Sequence, residues 1–135
     1  MTTSMHAPTT VTNLGVAMFT VADQDAAKAF YTEKLGWELR ADVSFGEDNA
    51  MRWLEVAPPG STARLALNAP MNGEPGGSAI GVETADLEAE HERLSAIDGV
   101  TIANPPMGGE GAVPSMFSIA DPDGNHIWIV ETPAA

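Results

Sequence analysis

The chain is built from one unit used twice. Setting residue n against residue n+63 places Val16 on Ala79, Asp23 on Asp86, Ala26 on Ala89 and Gly36 on Gly99. Further along, Val56 falls on Ile119, Ala57 on Ala120 and Pro59 on Pro122, and a one-residue slip then brings Gly60 onto Gly124. The identities are few, but they fall where helices start, where helices end and where turns form. A duplicated unit constrains the fold strongly, because whatever one half builds the other half must also build.

Each unit reads as one strand, one helix and three strands. In the first, residues 15–21 are apolar and strand-like, and Asp23 is a helix N-cap whose carboxylate accepts from free first-turn amides. Ala26, Ala27, Phe30, Tyr31 and Leu35 follow at helical spacing, and Gly36 suits the residue just past a helix end. Strands are expected over 37–43, 50–56 and 63–68, with Pro58, Pro59 and Gly60 turning between the last two. In the second unit, 78–82 is a strand, Asp86 caps a helix carrying Leu87, Leu94 and Ile97, and Gly99 ends it. Strands follow over 100–103, 115–120 and 126–131, the last two joined through Asp121-Pro122-Asp123-Gly124-Asn125, all turn formers. Residues 70–77 hold two prolines and three glycines and read as the linker. The expected organisation is a flexible tail over 1–10 and a single domain over 11–135, divided into modules 11–72 and 73–135. Residues 108–111 form a second flexible stretch, a candidate lid.

Composition removes several function classes. With no cysteine, disulfides, zinc–thiolate sites and cysteine nucleophiles are excluded. Nineteen acids against six bases give a formal net charge of −13. Such a surface repels phosphate backbones, so no nucleic-acid partner is expected, while a cationic small molecule is attracted. No apolar run is long enough for a bilayer, so no membrane partner is expected either. The first ten residues lack a basic end followed by an apolar stretch, so the cytoplasm is the expected compartment; His6 is given no role.

The stretch Val21-Ala22-Asp23, with Ala29-Phe30-Tyr31 and Leu35-Gly36-Trp37, resembles the opening of a vicinal oxygen chelate module. Ala120-Asp121-Pro122-Asp123-Gly124-Asn125 resembles the hairpin that closes one. This superfamily includes glyoxalase I, extradiol dioxygenases and bleomycin-resistance proteins, and the resemblance covers about residues 11–131. It implies an α+β fold of two βαβββ modules forming a curled mixed sheet, and a homodimer. In metal-using members four positions face into the cup. The resemblance carries these onto Val16, Ala79, Trp128 and Arg64 (or a neighbour, Leu65 or Ala66). None offers the imidazole or carboxylate that a hard divalent ion needs, so neither a metal nor another cofactor is expected.

Strand parity then supplies candidates for the cup. Met18 lies on the face of Val16, Asn68 on that of Arg64, and His126 on that of Trp128; Met51, Trp53, Met107 and Met116 are neighbours on hairpin and loop. An aromatic, methionine-rich and sparingly polar lining suits a flat organic molecule. Arg52 and Arg64 are candidates for an anionic group, and each is equally able to pair with one of the many acids. The expected ligand-binding set is therefore Met18, Arg52, Trp53, Arg64, Asn68, Met107, Met116, His126 and Trp128. His126 is also the candidate general acid or base. His91, among Glu88, Glu90, Glu92 and Arg93, reads as a half-exposed residue on a solvated helix face. The leading functional reading is a metal-free small-molecule-binding protein. The alternative is a lyase, isomerase or dioxygenase acting without a metal or with a non-standard metal site.

Overall fold

Each half of the chain folds into a four-stranded mixed sheet with one α-helix among the described residues. The computed structural model describes residues 7–71 and 73–132, so His6 and most of the expected tail lie outside the described residues. The first module comprises β1 (Val16–Thr20), α1 (Gln24–Ala29), β2 (Glu38–Phe45), β3 (Met51–Ala57) and β4 (Arg64–Asn68). The second comprises β5 (Ala79–Thr84), α2 (Leu87–Ser95), β6 (Thr101–Met107), β7 (Met116–Ala120) and β8 (His126–Glu131). The sheets run β1-β4-β3-β2 and β5-β8-β7-β6, so each module has the same strand order. Within each, the first strand pairs parallel to the fourth and the remaining pairs are antiparallel. This is the α+β, twice-repeated βαβββ architecture that the sequence predicts. Among the described residues no helix is long and apolar enough to cross a membrane.

The capping chemistry is as expected. Asp23 accepts from the Ala26 amide at 3.1 Å and Asp86 from the Ala89 amide at 3.0 Å. Gly36 and Gly99 sit at φ of 77° and 93°, backbone open to glycine and costly for other residues.

Two elements differ from expectation. The first helix does not continue regularly to Leu35: it ends as an α-helix at Ala29 and widens into a π-helical turn, Phe30–Lys34. The wider turn bonds the Leu35 amide to the Phe30 carbonyl at 3.1 Å and leaves the sequence neighbours Phe30 and Tyr31 both buried. The sixth strand, expected to stop at residue 103, runs through Pro105 and Pro106 to Met107. It is the outer strand of its sheet, and its pairing with β7 is irregular between Asn104 and Met107, where the two prolines lie.

The two modules share one core. Phe19, Leu54, Val56, Leu65 and Leu67 of the first sheet join Phe117, Ile119, Ile127 and Ile129 of the second around Tyr31, Leu35 and Leu94. The helical ends lock together: Arg93 donates to the Leu35 carbonyl and Lys34 to the Asp98 carbonyl. Because both sheets give their apolar faces to this core, their other faces are both turned outward.

Candidate functional site

Strand register sorts the candidate residues by face. On β1 and β4, Val16 pairs with Arg64, Met18 with Ala66 and Thr20 with Asn68. Glu55 of β3 pairs with Ala66, and Trp53 shares its parity. Trp53 in turn faces Val43, and Met51 faces Phe45. Met18, Trp53, Arg64 and Asn68 therefore lie together on the outward face of the first sheet. On the second sheet Trp128 pairs with Gly81 and Ser118, Val130 with Met116, His126 with Ala79 and Ala120, and Met116 with Met107. That brings Met107, Met116, His126 and Trp128 together on its outward face. The described residues therefore present two open half-cups, because the shared core consumes the inner faces.

Both half-cups are apolar and accessible. Met18 is 56% exposed, Val43 54%, Met107 47%, Phe45 43% and Met51 41%. Beneath Trp128 the buried Ser118 hydroxyl accepts from the Asn104 amide at 2.7 Å, which leaves that part of the floor satisfied. The imidazole of His126 has no hydrogen-bond partner among the described residues. The stretch 108–111 is held by bonds from the Gly109 amide to Val113 and from the Val113 amide to Glu110. His91 is half-buried, as expected, with its ring set edge-on to Phe117 at 4.9 Å.

The two candidate arginines separate. Arg52 lies on the helix side with Asp42: its Nε and Nη2 donate to Asp42 and its Nη1 to Asp25, at 2.8–2.9 Å. Lys28 joins Asp42 at 2.9 Å. Hydrogen bonds from Arg52 and then Lys28 hold the Asp42 carboxyl well below its usual range. Parity alone separates adjacent Arg52 and Trp53, so the structure does not bring Arg52 to the other candidates. Arg64 stays with the set, its Nε 3.0 Å from Glu55 Oε1.

A cleft of about 930 Å³ opens where the start of β1 and β4 meets the end of β5 and β8. Val16, Arg64, Gly81, Glu83 and Val130 line it, with Leu14 and Trp37.

The positions that hold the ion in metal-using relatives do not suit a divalent cation. The register pairs Ala79 with His126 as it pairs Val16 with Arg64, and Gly81 with Trp128 as it pairs Met18 with Ala66, so the repeat counterpart of Trp128 is Ala66, the neighbour of Arg64 that the sequence also offers. With Arg64 or with Ala66 beside Val16, Ala79 and Trp128, the set offers no carboxylate or imidazole, which is too little for a hard ion. Among the described residues no three of His, Asp and Glu gather closely enough to hold a metal.

Three site residues escaped the sequence reading. Val43 lies in the expected strand but was not placed in the cup, and Phe45 lies two residues past that strand's expected end; both stand on the face of Trp53 and Met51. Glu55 is a carboxylate buried on that same face, 8% exposed at its side chain. The alternation Trp53-Leu54-Glu55-Val56 carried its signal, since it sets Glu55 on the face of Trp53.

Comparison with known proteins agrees with this architecture. The family described as the Glyoxalase/Bleomycin resistance protein/Dioxygenase superfamily matches residues 13–129. The protein YetH of Bacillus subtilis (strain 168) is 34% identical over 124 residues, covering 90% of this chain and 99% of its own length. A superfamily member from Sphaerobacter thermophilus DSM 20745 superposes with a TM-score of 0.79 at 30% identity, covering 90% of this chain and 98% of that one. TnmS3, an antibiotic binding protein from Streptomyces sp. CB03234, superposes with a TM-score of 0.76 at 30% identity over 93% of this chain and 100% of its own. With the family matched across both modules, the chain belongs to the glyoxalase/bleomycin resistance protein/dioxygenase superfamily.

Proposed function

We propose that this protein is a small-molecule-binding protein of the bleomycin-resistance type, acting without a metal ion in the cytoplasm and sequestering a flat aromatic or cationic compound. One observation carries the reading. Met18, Val43, Phe45 and Met51 stand exposed beside Trp53 on the face opposite the core, a cluster that a lone soluble chain has no folding reason to display. Aromatic and methionine side chains make an adaptable surface for a planar molecule. The likeness to an antibiotic binding protein at 30% identity supports the same reading. The half-cups are open on their outer sides, and a homodimer would close each with the half-cup of a second copy.

The test is calorimetric titration of the full chain with a panel of flat polycyclic antibiotics, followed by mass spectrometry of the recovered ligand. Saturable binding of a ligand that returns unchanged is expected. Trp128→Ala should weaken binding about tenfold, the scale of one lost aromatic anchor. Silence from every member of the panel would end the reading. Sedimentation velocity decides the homodimer, which requires a species of twice the chain mass.

The second reading is a glyoxalase-like enzyme, favoured by the unpartnered imidazole of His126 on the same face as Trp128. Its sign is a changed ligand in the same recovery experiment, with conversion lost in His126→Ala.

A further inference from the structure

Five of the six basic side chains hold an acid or a carbonyl through their outer nitrogens. Lys28 holds Asp42, Lys34 the Asp98 carbonyl, Arg40 the Pro58 carbonyl, Arg52 Asp42 and Asp25, and Arg93 Glu90 and the Leu35 carbonyl. Arg64 differs. It meets Glu55 through Nε, and neither of its terminal nitrogens makes a hydrogen bond among the described residues. Glu55 is 8% exposed at its side chain while Arg64 is 40% exposed, so the carboxylate is a fixed anchor and the guanidinium sits half-open above it. A guanidinium is planar, and an ion pair through its stem-side nitrogen leaves the Nη1/Nη2 edge free to donate elsewhere. Arg64 is also the one basic residue among those lining the 930 Å³ cleft.

We propose that the Arg64 fork recognises an oxyanion, a carboxylate or an ionised phenol, carried by the flat ligand. The assignment rests on the reading of this surface as a site for a planar organic molecule, and it chooses between the charges such a molecule can carry. The net charge of −13 argues for a cation, but it is a property of the whole surface, and salt screens it within about 8 Å. Contact with the fork is local. A carboxylate takes two charge-assisted hydrogen bonds there, a neutral carbonyl takes weaker ones, and an ammonium meets like charge with no acceptor. Glu55 does not reverse this preference, because Arg64 already covers it. Glu83 lies across the cleft, exposed to water, and weakens the preference without supplying a buried counter-charge.

The probes are 2-naphthoate, 2-naphthamide and 2-naphthylmethylammonium, titrated calorimetrically into the full chain at neutral pH. Naphthoate should bind at least about tenfold more tightly than the ammonium, the scale of a charge-assisted pair gained rather than lost. Arg64→Gln should cost naphthoate about tenfold and leave naphthamide within about twofold. Because that variant strands Glu55 as a buried charge, the double variant Glu55→Gln/Arg64→Gln is measured beside it, with the same loss expected. An ammonium that binds as tightly as naphthoate, or naphthoate affinity retained in both variants, overturns the Arg64 assignment. If naphthamide still binds in that case, the planar-ligand reading survives. Failure of all three probes to bind overturns both.

Discussion

Tyr31 Oη donates a 2.9 Å hydrogen bond to Asp121 Oδ2, joining residues 90 positions apart and tying the helix of one module to the closing turn of the other. Asp121 also accepts from the Asp123 and Asn125 amides and from the Asn125 side chain. Asn125 in turn donates to the Thr20 carbonyl and accepts from the Ser78 amide, while Asp123 accepts from Ala22. The turn that reads as a local hairpin closure in the sequence is therefore the bolt between the modules.

Tyr31→Phe should destabilise the protein by about 1–3 kcal/mol, the cost of leaving a buried acceptor without its donor. Asp121→Asn should cost more, because four donors lose their charged partner and the turn itself loosens. Urea unfolding monitored by tryptophan fluorescence gives both values. Equal stability in Tyr31→Phe and the parent would show that the bond does not join the modules energetically.

Burial, and after it the Asp121 carboxylate, push the Tyr31 hydroxyl far above its ordinary range. A group raised on folding adds stability that is whole below its unfolded pKa of about 10 and is lost as pH climbs above it. The chain has one tyrosine, so phenolate absorbance reports Tyr31 alone. At pH values slightly above 10 the folded protein should show no phenolate, and the signal should arrive together with unfolding. A smooth titration near pH 10 in the folded state would contradict the buried bond.

Asp42 shifts the other way. Its carboxyl is lowered by hydrogen bonds from Arg52 and then Lys28, so its contribution is present above an unfolded pKa of about 4 and is lost as pH falls below that. Asp42→Asn should flatten the acid limb of the stability–pH curve and leave the neutral region little changed, since the group is partly exposed. Thermal melts from pH 2 to 7 measure it.

Arg52→Ala should leave ligand affinity within about twofold, while Trp53→Ala should weaken it about tenfold, although the two residues are adjacent. Parity puts them on opposite faces. Calorimetry with any ligand found in the antibiotic panel makes the comparison, and an equal loss in both would refute the face assignment.

Gly76 and Gly77 have nearly the same backbone, at φ of 87° and 83°. A methyl on Gly77 meets nothing within 4 Å, whereas on Gly76 it strikes the Asp123 carbonyl of the closing turn. Gly77→Ala should cost about 1–2 kcal/mol for the left-handed conformation alone. Gly76→Ala should cost about 1–3 kcal/mol more, and chemical denaturation of both variants tests the difference.

Local rules carried much of this protein. The repeat, the caps at Asp23 and Asp86 and the glycines after each helix are all written in neighbouring residues, because a cap or a positive φ is settled within one turn of chain. Strand parity likewise set Met18, Arg64 and Asn68 on one face and His126 and Trp128 on another, because alternation is a property of a single strand. The tertiary structure decided the rest. It widened the end of the first helix so that both Phe30 and Tyr31 reach the core, took Arg52 away to Asp42 and Asp25, and buried Glu55 under Arg64. It also turned the two half-cups outward by spending both inner faces on one core. Each of these depends on which partner arrives from a distant part of the chain. A sequence specifies the faces that each element can offer, and only packing chooses which face meets which.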